Sequence, residues 1–76
     1  MNNKPTELQL GTLYSWLKWI VDQNKARQAV AWLENNATRR AVSAEMARLK
    51  VLKDKQLLDA SKCFTGEIWE GFEHGR

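Results

Sequence analysis

Cysteine and histidine are almost missing from this 76-residue chain, which has one of each, Cys63 and His74. A single cysteine excludes an internal disulfide and a cysteine-rich zinc site. A single histidine leaves no pair for metal binding or imidazole-based catalysis. Cys63 has Lys62 beside it, which modestly favours thiolate, but a lone thiol in such a chain reads as a small buried hydrophobe. Proline occurs once, at Pro5, and valine and isoleucine are scarce at four and two. No stretch alternates with period two, so a sheet-rich domain is excluded. No apolar run approaches the ~18–20 residues of a membrane-spanning helix. The opening Met-Asn-Asn-Lys-Pro-Thr lacks the apolar stretch of a signal peptide, so the cytoplasm is the expected location. No glycine-rich phosphate loop, metal-ligand spacing or paired acid and base appears. The expectation is a non-enzymatic protein with no cofactor, no metal and no small-molecule substrate.

What is abundant favours helix. Nine leucines and eight alanines dominate the apolar set. The fold expected is all-α: a small three-helix domain, a helical hairpin or bundle over residues 1–62, with a short acidic-aromatic C-terminal tail over 63–76. The helices are placed at about 6–23, 24–35 and 37–62.

Thr6-Glu7-Leu8-Gln9 has the form of a capping box, although Gly11 weakens the helix and leaves Thr12 as a second candidate start. Leu10, Leu13, Tyr14, Leu17, Ile20 and Val21 share one face of the first helix. Leu8, Trp16 and Trp19 fall nearly opposite. A helix apolar on two sides sits centrally in a bundle or between two partners.

After the polar Asp22-Gln23-Asn24-Lys25, the residues Ala26, Ala29, Val30 and Leu33 repeat at amphipathic spacing. Two readings stay open: Asn24 caps a second helix, or one helix runs unbroken through a short seam to residue 34. Asn35-Asn36 marks the next turn. In the third segment Val42, Met46, Leu49, Leu57 and Ala60 share a face. Lys53 interrupts that face and allows a bend at Lys53-Asp54, and Ser43 offers an alternative start with Glu45 in its first turn.

Four tryptophans, Trp16, Trp19, Trp32 and Trp69, are many for this length. Chains below about 70–80 residues are short of core, and large rings compensate. Aromatic residues are also enriched where proteins meet. The second reading points to Trp16 and Trp19 on the second face of the first helix, and to Ile68, Trp69 and Phe72 in the tail, as candidate partner-binding residues. In the tail, Glu67, Glu70 and Glu73 alternate with the apolar anchors. The alternative for the tail is that Trp69 and Phe72 fold back to complete the core. The shortage of core also favours a homodimer over a monomer.

The net charge is +3, and it is unevenly spread. Residues 1–38 carry four Lys/Arg and three Asp/Glu, net +1; residues 39–62 carry seven and three, net +4; residues 63–76 carry one and three, net −2. The basic group is Arg39, Arg40, Arg48, Lys50, Lys53, Lys55 and Lys62. It reads as a solvated helix face or as attraction to an acidic partner. Laid on a helix-turn-helix, Ser43–Ala60 would put Lys50-Val51 in the turn and Lys53, Lys55 and Gln56 outward on the second helix.

Two functions follow as expectations. The first is a small regulator acting by protein–protein binding through the tryptophan face and the tail, of the size of phage and plasmid accessory proteins. The alternative is a small duplex-DNA-binding regulator using residues 39–62, with Arg39, Arg40, Arg48, Lys50, Lys53, Lys55 and Gln56 as contacts. A membrane-surface role is not expected, because the polar strip of the first helix is poor in Lys and Arg.

Overall fold

The computed structural model describes residues 3–72 and is all-α, with no strand among the described residues. Three helices, α1 (Glu7–Leu17), α2 (Gln23–Asn36) and α3 (Arg39–Asp54), are followed by the single turn α4 (Ala60–Cys63) and a 3-10 turn at Glu67–Trp69. None is long and apolar enough to cross a membrane.

Short polar side chains set where the helices begin. The capping box at Thr6 is formed: Gln9 N donates to Thr6 Oγ1 at 3.1 Å, and Thr6 N donates to Gln9 Oε1 at 2.9 Å. The helix therefore starts ahead of Gly11 and not at Thr12. Asp22 accepts from Lys25 N at 2.8 Å, and Thr38 accepts from Ala41 N at 3.1 Å. Each such cap stabilises its helix by about 1 kcal/mol.

The expected break near residue 24 exists, but Asp22 caps α2 where Asn24 was expected to. The turn also begins earlier, since α1 ends at Leu17 instead of 23. The amides of Lys18, Trp19, Ile20 and Val21 fold back onto the carbonyls of Tyr14, Trp16 and Leu17 at 2.9–3.3 Å. Trp19, Ile20 and Val21 consequently lie on a tight turn and not on a helix face. Asn35 and Asn36 are the last residues of α2, and their amides donate back to Ala31 O and Trp32 O.

The third helix is shorter than its pattern predicts. It neither restarts at Ser43 nor reaches residue 62, and it ends at the Lys53-Asp54 bend. Gln56 N donates to Lys53 O at 3.0 Å and Leu57 N to Leu52 O at 2.8 Å. These two bonds form a Schellman-type C-terminus, in which Gln56 takes the left-handed position at φ 61°. The chain turns away there, so Leu57 and Ala60 leave the face that Val42 and Leu49 keep buried; both are exposed. At α4, the Ser61 hydrogen bond and the nearby Lys62 hold the Asp59 carboxyl below the usual range.

The core gathers Leu13 and Leu17 from α1, Ala26, Ala29 and Leu33 from α2, Val42 and Leu49 from α3, then Cys63 and Trp69. Cys63 is fully buried, as its reading as a small hydrophobe requires. Small residues on α2 let α1 lie close along it, while the 3-10 turn packs against both α2 and α3.

A candidate partner groove and a closed carboxylate cluster

Two tryptophan bonds lock the C-terminal segment into the fold. Trp32 Nε1 on α2 donates to Ile68 O at 3.1 Å. Trp69 Nε1 donates to Glu45 Oε2 on α3 at 2.8 Å. Glu45 is 6% exposed, and an unpartnered carboxylate there would be costly. Arg48, one turn on, closes the cluster: its Nε donates to Glu45 Oε1 at 3.0 Å and its Nη2 meets Oε2. These hydrogen bonds hold the Arg48 guanidinium above its ordinary pKa. Gly66 makes room for the carboxylate, since a Cβ there would stand 2.7 Å from Glu45 Oε1. At Gly71 the backbone adopts φ +95°, a region that side chains rarely tolerate, as the chain rounds the Trp32 ring. Phe64, Trp69, Phe72 and Trp32 form a ring cluster with centroid separations of 4.9–6.0 Å.

This arrangement corrects the partner-binding expectation for the tail and matches its alternative, in which Trp69 and Phe72 fold back to complete the core. Trp69 is 2% exposed and is a core residue, while Ile68 and Phe72 are half-buried against that core. The described part of the segment 63–76 belongs to the domain built by residues 1–62, because α2 and α3 close on each other through it. Glu73 and His74 lie outside the described residues.

The first pair of candidates fares differently. Trp19 is 84% exposed and Trp16 half-buried. With Ile20 from the same turn and with Lys53, Gln56 and Leu58 from the end of α3, they line a groove of about 390 Å³. Lys18 places its Nζ 6.0 Å from the centre of the Trp19 ring. Four turn amides fix the backbone beneath this indole.

The basic residues do not form the expected reading element. Lys50-Val51 lies within continuous α3, so the helix-turn-helix layout over Ser43–Ala60 is not formed. Arg48 is engaged by Glu45. Lys50 pairs with Asp54 at 3.2 Å, and Lys62 with Asp59 at 3.5 Å. Arg39 and Arg40 stand apart, beside Asn3 and Thr38 around a second cleft of about 320 Å³. There Arg39 N donates to Asn3 O at 2.6 Å, and Gln9 Nε2 donates to Arg39 O at 3.2 Å. Lys55 is the exposed cap of α3. Lys53 and Gln56, assigned on sequence to the DNA reading, instead share a groove with the two tryptophans.

Comparison with protein-family models, curated proteins and solved structures finds no match.

Sequence reasoning missed Glu45 as a buried carboxylate and Leu58 as a groove wall. Helical spacing carried a signal for the first: Glu45 sits at i+3 from Val42 and i−4 from Leu49, inside the apolar stripe of α3, with Arg48 three residues on. No comparable signal marks Leu58, whose position depends on the chain reversal at Gln56.

Proposed function

We propose that this protein is a small non-enzymatic regulator that acts by binding another protein, and that the binding face is the groove bounded by Trp16, Trp19, Ile20, Lys53, Gln56 and Leu58. The exposure of Trp19 carries this reading. An indole is the side chain whose burial returns most at an interface, and tryptophans are over-represented among the few residues that dominate binding energy. Here it stands out from a turn whose amides are already paired, so little ordering remains to be done when a partner covers it. Leu8 at 80% exposure, with Val51 and Leu57 about half exposed, adds uncovered apolar surface outside the groove. That surface also supports self-association as a homodimer.

The tail has no part in this reading, because Trp69 and its neighbours hold the domain together. The DNA reading gains no specific support, its residues being dispersed or paired.

The test is affinity capture by the full chain from an extract of the source cells, alongside Trp19→Ala and the double change Trp16→Ala, Trp19→Ala. A partner held in stoichiometric amount by the parent chain should be lost with Trp19→Ala, at a cost of about 2 kcal/mol or more. Light scattering on the same samples reads the oligomeric state. Capture indifferent to both tryptophans overturns the proposal. So does retention of duplex DNA in place of a protein, with the steep loss on added salt that counterion release produces.

A further inference from the structure

Resting on the protein-binding reading, we infer that the groove receives an acidic segment with apolar anchors, and that Gln56 is one of its contact residues. Two independent features of the groove lead there.

The first is charge. Among the described residues no carboxylate lines the groove, while Lys53 does. Lys18 flanks Trp19 and Lys55 caps the helix end beside Gln56. None of these three lysines has an ion-pair partner among the described residues. The two acids next to groove residues in sequence, Asp54 and Asp59, are exposed and paired with Lys50 and Lys62. Apolar walls with an unneutralised basic border favour a chain whose aromatic or leucine side chains enter beside Trp16 and Trp19 while its Asp or Glu residues meet the lysines. Complementary charge of this kind speeds encounter and rejects basic competitors.

The second is backbone strain. The left-handed position of a helix terminus is normally filled by glycine, sometimes asparagine. For a larger residue it costs on the order of 1 kcal/mol. Gln56 occupies it at φ 61°, and its side chain lines the groove. A residue poorly suited to its backbone position persists where its side chain has other work, and here that side chain lines the groove. The amide can donate to a carboxylate and accept from a peptide N–H of a docked segment.

The test is selection of a random peptide library displayed on phage against the full-length chain, with Trp19→Ala and Gln56→Gly chains in parallel. Enriched peptides should be rich in Asp and Glu interleaved with Leu, Phe or Trp. Synthetic copies should lose at least thirtyfold in affinity for Trp19→Ala. For Gln56→Gly the loss should be about threefold to tenfold, the range of one hydrogen bond, while the thermal midpoint rises by about 4–8 °C. Loss of binding with gain of stability is an outcome that a merely structural Gln56 does not produce. Basic or uncharged peptides that still depend on Trp19 overturn the acidic-segment inference and leave the protein-binding reading standing. No enrichment, accompanied by binding to anionic lipid vesicles or to duplex DNA, overturns both. If Gln56→Gly gains stability with unchanged affinity, Gln56 is not a contact.

Discussion

Trp19 and Trp69 look alike in sequence: each follows a lysine or an isoleucine, each has a charged residue within two positions, and each sits at the edge of a helical stretch. In the folded chain they are opposites, at 84% and 2% exposure. The difference lies in what each turn lands on. The turn carrying Trp69 meets a carboxylate that accepts its indole N–H, a glycine that leaves space for that carboxylate, and two further rings. The turn carrying Trp19 meets the end of α3, where the chain reverses at Gln56 and leaves a groove instead of a cover. A tryptophan's fate here is decided by distant residues, not by its neighbours along the chain.

The sharpest way to break this comparison is to remove each ring. Trp69→Ala should cost about 3–5 kcal/mol. A 76-residue domain has about 4–11 kcal/mol of stability in all, so this variant should show little or no cooperative melting by far-ultraviolet circular dichroism. Trp19→Ala should change stability by less than about 0.5 kcal/mol, as surface substitutions do. Equal effects on melting would erase the distinction between the two sites.

A smaller change sharpens the same contrast from the buried side. Gly66→Ala leaves Trp69 intact but sets a Cβ against Glu45 Oε1, forcing the carboxylate off its partners. A loss of about 1–3 kcal/mol is expected, visible as a lowered urea midpoint with an unchanged slope. Added to Glu45→Gln, the same substitution should cost a different amount than it does alone, because the two residues touch. Strict additivity would show that the close approach is not the cause.

A change smaller than that at Gly66 should be a gain. Gly11 lies within α1 with open space around its missing Cβ, so Gly11→Ala should stabilise the chain by about 0.5–1 kcal/mol. Its thermal midpoint should rise while affinity at the groove stays as it was. A lowered midpoint would mean that α1 does not run through residue 11.

Much of the architecture was legible in residue types. The capping box at Thr6, the polar break after the first helix, the Ala26/Ala29/Leu33 stripe and the buried thiol all follow from local chemistry. Helix ends were harder. The stop at Leu17 depends on Asp22 preferring an extended cap over a helical interior, and Asn24 competed for that role. The stop at Asp54 carries no glycine to announce it, because Gln56 takes the left-handed position itself. The candidate site was half legible: Trp16 and Trp19 stood out as apolar on the wrong face. Their companions Lys53 and Gln56 were assigned to a DNA-reading helix, since nothing local reveals that α3 ends against the first turn. Trp69 misled for the same reason, as its partner Glu45 lies 24 residues away.

The seam between α2 and α3 is filled by a segment that the ribosome makes after both of them. While the chain is being synthesised, α1 can pack against α2 and α3 as they emerge, but Glu45 lacks the indole that donates to it until Trp69 arrives. Completion of the interior is thus timed by the last described turn to be translated. A purified chain cut after residue 65 should therefore remain open and vulnerable to proteases, and one that runs through residue 72 should close.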